Sequence, residues 1–168
     1  GGARLLELQA QCPFRAFAEL RLGAKRLEEP QAGIDRRTRG TILHRALQRF
    51  WSETRGRSEL LRLDAAACTD RVAAQVDEAL AHGLPPGTGA RSRRLERDWQ
   101  LRAIGNLLTL ERSRPDFMVA EAEQSMQREL GGLILDLQAD RVDRVGDALV
   151  VIDYKTGKVS PSQWRGAR

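Results

Sequence analysis

The 168-residue chain is expected to be an α+β protein. Three observations predict it. Apolar residues recur at helical spacing through most of the first 114 positions. After Pro115 the period changes to strand-like alternation. The alternating stretches are joined by short glycine-containing turns, so strands follow helices in blocks.

Residues 3–22 read as helical, with Leu5, Leu8, Phe14, Phe17 and Leu20 as the apolar positions. Cys12-Pro13 interrupts them. A proline is tolerated in a first helical turn, so a new helix should start near Pro13. Residues 28–37, holding Pro30 and Gly33, read as a loop. The next helix spans 38–53, where Ile42, Ala46 and Phe50 recur at four-residue spacing with Leu43 and Leu47 beside them. A further helix covers 64–82, with Asp64 as its N-cap and Gly83 as its stop before Pro85-Pro86. The last covers 90–113, with Leu95, Trp99, Ala103, Leu107 and Leu110 as its apolar stripe, and Pro115 ends it.

Residues 117–127 suit a first strand, and Gly131-Gly132 the turn after it. In the second strand, 133–143, Leu133, Leu135, Leu137 and Ala139 share one face. Arg144–Asp147, with Gly146, make the next turn. The third strand, 148–155, is apolar on both faces and is therefore expected to be central and buried. The chain is read as one domain over 1–168: helical over 1–114, a three-stranded antiparallel meander over 115–157, and a tail over 158–168.

Composition excludes several classes. Apolar residues make up 41% and charged residues 30%, ordinary for a globular domain. No apolar run is long enough to cross a membrane. The start, Gly1-Gly2-Ala3-Arg4, does not resemble a secretory signal. Cys12 and Cys68 form no CxxC pair, so neither a disulfide framework nor a zinc site can be built from them, and a reducing, cytoplasmic setting is expected. Net charge is +5, with 25 arginines against 3 lysines. Genomic base composition accounts for most of that preference. Yet residues 36–57 hold seven arginines and one glutamate, a cluster suited to a polyanion.

The chemistry concentrates at the ends of two strands. Asp153 and Lys155, two apart on a strand, share a face. In the second strand Asp136, Gln138 and Asp140 lie opposite the leucine face, and a hairpin turning near Gly146 brings Asp140 opposite Asp153. Two carboxylates and an ammonium group then converge. The carboxylates offer hard oxygen ligands to Mg²⁺ or Mn²⁺. A lysine there can orient an attacking water or stabilise charge building on phosphate oxygens. Alone, an Asp-x-Lys triplet is usually a surface ion pair. Asp136 and Asp143 are substitutes for Asp140, of which Asp143 points to the other face. Tyr154 points away from the carboxylates into the core. His82, at a helix end, is read as a cap.

The strings Gln-Ala-Asp-Arg-Val-Asp-Arg-Val (138–145) and Val-Val-Ile-Asp-Tyr-Lys-Thr-Gly (150–157), preceded by Gly40-Thr-Ile-Leu-His44, resemble the three motifs of the PD-(D/E)XK nuclease superfamily in their order. The nearest branch is the RecB/AddB-type exonuclease domain. Leu137 stands where that branch carries a glycine. The resemblance implies a restriction-endonuclease-like core. It implies Asp140, Asp153 and Lys155 as catalytic residues and His44, Asp140 and Asp153 as ligands of Mg²⁺ or Mn²⁺. A main-chain carbonyl is added to these ligands, that of Tyr154 in preference to Ile152. Arg37, Arg39, Arg45, Thr156 and Lys158 are expected to contact DNA, and Glu123, ahead of Glu121, is a candidate extra acidic residue. Cys12-Pro13-Phe14 resembles the segment that supplies one iron–sulfur ligand in AddB-type nucleases. No such cluster is expected in this stretch, and the three residues are read as a packing motif, although Cys12 could join a cluster completed by further sequence. The family's Gln-x-x-x-Tyr helix is not found in 158–168, where Gln163 and Trp164 lead towards it, so the C-terminal part of the core is expected to be missing. The resemblance implies a metal-dependent DNA exonuclease of repair or recombination beside a helicase domain or subunit, with no membrane and no small-molecule substrate. The alternatives are a catalytically silent DNA-binding module or a helicase-partner module of the same fold.

Overall fold

A computed structural model of the chain describes residues 2–24, 33–130 and 132–157. Among these residues, helices α1 (Gly2–Gln11), α2 (Pro13–Leu20), α3 (Arg36–Thr54), α4 (Arg57–Arg62), α5 (Ala65–Gly83) and α6 (Ala90–Ser113) precede strands β1 (Met118–Leu130), β2 (Leu133–Val145) and β3 (Ala148–Ile152). The strands form one antiparallel sheet in the order β1-β2-β3. The α+β reading therefore holds, and the expected meander is present.

Pro13 occupies the first turn of α2, where its missing N–H costs nothing. Leu8 and Ala16 are buried there, but Cys12 is exposed and Phe14 is 76% exposed. The expectation that Cys12-Pro13-Phe14 packs as a unit is thus overturned: only the proline's backbone role survives. Helix α3 starts two residues earlier than expected, because Asp35 caps it. The Asp35 carboxylate accepts from the Thr38 amide at 2.9 Å and from the Thr38 hydroxyl at 2.6 Å. Arg55 ends α3 in the left-handed region, at φ 50°. The extended backbone that follows bridges Gly56 to Met118. A Cβ on Gly56 would lie 2.6 Å from the Phe117 carbonyl oxygen, so only glycine lets the end of α3 approach the start of β1 this closely. Helix α4, too short to show a period, is new. Asp64 caps α5 as expected, accepting from the Ala67 amide at 2.8 Å.

Ile42, Leu43, Ala46, Leu47, Phe50 and Trp51 of α3 form the centre of the core, with Val72, Val76, Ala79 and Leu80 of α5 and Ile104 and Leu108 of α6 around them. Two expectations fail. The buried positions of α6 are Glu96, Gln100, Ile104, Leu108 and Glu111, while Leu95 and Leu110 are 58% and 65% exposed. The helix is rotated by about one residue from the apolar stripe, because buried ion pairs, not leucines, tie it to its neighbours. Strand β3 is an edge strand, with Leu149 and Val151 61% and 64% exposed. Its two-sided apolar pattern matches a central strand, but among the described residues nothing pairs with its outer side. The expectations about the side chains of Leu133, Leu135, Leu137, Asp136, Gln138, Glu121 and Glu123, and those about 25–32 and 158–168, lie outside the described residues.

Candidate metal and nuclease site

The β2–β3 ladder closes at Arg141 opposite Ile152, so Asp140 and Asp153 are the next positions in register. That placement agrees with the hairpin reading. Strand β3 nevertheless ends three residues before its expected limit, and the cause is visible. The Tyr154 amide does not enter the ladder; it donates to Asp140 Oδ2 at 2.6 Å. The Tyr154 carbonyl accepts from His44 Nε2 at 2.8 Å. A carbonyl only accepts, so Nε2 carries the proton, and Nδ1 lies 3.3 Å from Asp140 Oδ1. The main chain of one residue thus organises the histidine from α3 and the aspartate from β2. Of the two main-chain carbonyls considered for the site, Tyr154's is the one beside His44; Ile152 remains in the ladder.

Asp153 and Lys155 pair with each other, Nζ to Oδ2 at 2.8 Å and to Oδ1 at 3.1 Å. Both are partly exposed, the lysine side chain 53% and the aspartate 32%. Among the described residues, no three His, Cys, Asp or Glu side chains gather closely enough to hold an ion by themselves. The donor chemistry still fits a hard divalent cation. Cis ligands at about 2.1 Å from Mg²⁺ lie roughly 3 Å apart, close to the 3.3 Å between His44 Nδ1 and Asp140 Oδ1. Asp153 would complete such a set only on leaving Lys155, and an exposed ion pair of this kind is worth only about 1 kcal/mol or less.

Gly40 faces Thr156 with room for an ordinary van der Waals contact. It lies one helical turn before His44, and a Cβ there would sit 3.6 Å from Thr156 Oγ1. The start of α3 therefore runs beside the residue that follows Lys155.

Behind the site is a charged cluster that the sequence reading did not assemble. Tyr154 is buried, as expected, and Arg141 Nη1 donates to its hydroxyl at 3.0 Å. Arg141 also donates to Asp143 from Nε and Nη2, both at 2.7 Å, and to Glu111 from Nη2 at 2.8 Å. Arg114 donates to the same two carboxylates at 2.8 and 2.6 Å. The Arg141 guanidinium lies over the rings of Trp51, at 4.2 Å, and Phe117, at 5.1 Å. Burial pushes the Tyr154 phenol well above its ordinary pKa, with the Arg141 charge opposing. Burial works against the Arg141 charge, but the bonds to Asp143 and Glu111 help to hold its pKa above the usual value. Asp143 points away from Asp140, as the alternation required. An Arg-x-Asp pair on the core-facing side of a strand was the signal available for this cluster.

The arginine-rich helix is largely committed to internal partners. Arg39 grips Glu96 with Nε and Nη2 at 2.8–3.1 Å and lies over Trp99, so its guanidinium has an internal partner. Arg49 binds Glu78 at 3.1 Å and Gln75 at 3.0 Å, whereas Arg45 approaches Glu78 only to 4.0 Å. Arg37 and Thr156 are exposed; Lys158 lies outside the described residues. On β1, Gln124 pairs with Ala139 and Ala122 with Arg141, so the Glu123 backbone is level with Asp140. His82 bonds the Glu78 carbonyl at 2.9 Å, consistent with a cap. A cavity of about 540 Å³ opens between Leu63, Cys68 and Val72 on one side and Leu101, Leu108 and Arg112 on the other, and none of the site residues lines it. No helix among the described residues is long and apolar enough to cross a membrane.

Comparison with curated proteins and with solved structures returned no match. The profile of the PD-(D/E)XK nuclease superfamily matches residues 3–167, a span that includes His44, Asp140, Asp153 and Lys155, and the chain belongs to that superfamily.

Proposed function

We propose that this chain is a metal-dependent DNA nuclease domain, acting as an exonuclease in repair or recombination alongside a helicase domain or subunit. The observation that carries the reading is the Tyr154 main chain, which holds Asp140 by its amide and His44 by its carbonyl next to Asp153 and Lys155. Superfamily membership supplies the phosphodiester substrate class and the divalent ion. The exonuclease mode, the repair setting and the helicase rest on the motif resemblance.

His44, Asp140 and Asp153 are the residues that would hold Mg²⁺ or Mn²⁺, and the Tyr154 carbonyl would join them once His44 gives up its Nε2–H bond to it. When bound, such an ion supplies an acidified water and neutralises charge on the phosphate. The chain's own residues do the rest. Lys155, freed from Asp153, places its ammonium on the scissile phosphate or on the attacking water. Asp140 fixes the turn after Ile152 through the Tyr154 amide. Arg37, Arg45, Thr156 and Lys158 approach the flanking phosphates, and Glu123, whose backbone is level with Asp140, is the candidate extra acidic residue.

One observation favours the catalytically silent alternative: the Asp153 carboxylate is closed on Lys155. Incubating the protein with end-labelled linear DNA and Mn²⁺ or Mg²⁺ separates the two. Cleavage by the wild type, lost in Asp153→Asn and Lys155→Ala, is the expected result. DNA bound but uncut by all three would leave only the silent module.

A further inference from the structure

Beyond Ile152 the sheet no longer positions the chain, since ladder pairing stops at Arg141 and Ile152. Three polar tethers hold Tyr154 instead. Two belong to the site itself: the amide to Asp140 and the carbonyl to His44. The third points the opposite way, where the hydroxyl accepts from Arg141 Nη1 at 3.0 Å.

Arg141 is unusually well fixed for a side chain that ends on a neutral phenol. Its side chain is 1% exposed, and its carboxylate partners Asp143 and Glu111 are 0% and 5% exposed. Arg114 bonds the same two carboxylates, so two cations balance two anions. Rings of Trp51 and Phe117 hold the guanidinium plane. Buried ion pairs of this kind contribute little net stability over well-packed apolar side chains, because desolvation offsets the attraction. What such a cluster does supply is a fixed direction for its outward donor. That donor, Nη1, is spent on Tyr154.

We propose that Arg141, locked by Asp143 and Glu111, is a positioning residue for the metal ligands: it pins the Tyr154 phenol and thereby sets the Tyr154 main chain, whose N–H and C=O align Asp140 and His44. The inference rests on the metal-dependent reading given above. Arg141 touches neither ion nor DNA; it acts through Tyr154. Removing the phenol oxygen leaves the ring in the core but lets the Tyr154 main chain drift, so the ligands align only after the ion has ordered them. Loss of such an outer partner typically weakens metal binding by about 10- to 100-fold.

The test is Tyr154→Phe, which keeps the ring. Mn²⁺ binding is followed by the loss of the free-ion electron paramagnetic resonance signal, and folding by thermal denaturation. A second variant, Val72→Ala, serves as a destabilised control. It lies in the core near Arg71, which bonds Thr54, ten residues and so about 15 Å along α3 from His44. The expected result is a Tyr154→Phe protein within a few degrees of the wild-type Tm whose Mn²⁺ half-saturation rises about tenfold, while Val72→Ala melts earlier but binds Mn²⁺ as the wild type does. Half-saturation of Tyr154→Phe within twofold of wild type overturns the inference. So does equal weakening in Val72→Ala, and so does a Tyr154→Phe that fails to fold, since the bond would then support the fold and not the site. A wild type that binds no Mn²⁺ is a different failure: it removes the metal-dependent reading itself, and this inference with it.

Discussion

The Tyr154 amide donates to Asp140 Oδ2 at 2.6 Å, so the carboxylate that is expected to hold the ion also shapes the turn that carries Asp153 and Lys155. These two tasks separate by substitution. Asp140→Asn keeps an oxygen for the amide and loses the charge. Asp140→Ala loses both. Both variants are expected to lose DNA cleavage to background, but only Asp140→Ala should also loosen the turn, seen as faster amide hydrogen exchange at 153–156. Equal exchange in the two variants would mean that the Tyr154 bond does not order the turn.

Lys155 offers a distinct signature. Its partner Asp153 is better used on an ion, so in the active state the ammonium is free for the phosphate. Lys155→Ala should reduce kcat by about 10²- to 10³-fold, the usual loss when a charge-stabilising donor is removed. Mn²⁺ binding should not weaken, and relief of competition for Asp153 should tighten it slightly. Weakened Mn²⁺ binding in Lys155→Ala would place the lysine among the residues that build the ion site.

The site's elements were readable where the backbone alone decides them. Alternation on β2 and the turn at Gly146 put Asp140 level with Asp153, whereas His44 is legible only through the resemblance of Gly40–His44 to the superfamily's first motif. Hidden were the features that depend on side-chain partners from distant segments. Glu96, Gln100 and Glu111 look like the solvent side of an amphipathic helix, yet they face inward because Arg39, Arg114 and Arg141 meet them there. Periodicity treats charge as exposure and so rotates α6 the wrong way. Strand β3 fails for a related reason: an apolar strand pattern reports that both faces suit burial, not that a neighbour is present among the described residues.

The Arg39–Glu96 clamp makes that point measurable. Glu96 has a side chain 1% exposed and is gripped by the Arg39 fork. Arg39→Met should destabilise the protein by about 3 kcal/mol, because the carboxylate is left buried without its cation. The double variant Arg39→Met with Glu96→Leu should recover most of that loss. Urea denaturation of the four proteins in the cycle gives the coupling; additive effects would show that the pair is not the clamp between α3 and α6.

Asp35 adds a pH dependence whose sign is fixed. Its carboxyl sits below its ordinary pKa, held first by the Thr38 hydroxyl and then by the Thr38 amide. A depressed folded-state value means that its contribution is present above the unfolded value, about 3.9, and is lost as pH falls through the folded value. Asp35→Asn keeps one acceptor and cannot titrate. The wild type should therefore melt above Asp35→Asn by a constant margin between about pH 5 and pH 8, at least about one unit above the carboxyl range. That margin should shrink on acidification below about pH 4. A margin that grows on acidification would have the wrong sign for a capping carboxylate.

The commitment of the α3 arginines narrows what DNA can touch. Arg39 and Arg49 are held by Glu96 and Glu78, whereas Arg37 is exposed and among the described residues forms no ion pair. Affinity for linear duplex should fall with salt, with a log–log slope close to the number of phosphates neutralised. Arg37→Ala should weaken binding at low salt and reduce the slope by about one. Arg49→Ala should leave the slope unchanged, because its guanidinium is spent on Glu78 and Gln75. Filter binding in a salt series measures both, and an equal loss of slope in the two variants would mean that Arg49 leaves its internal partners for DNA.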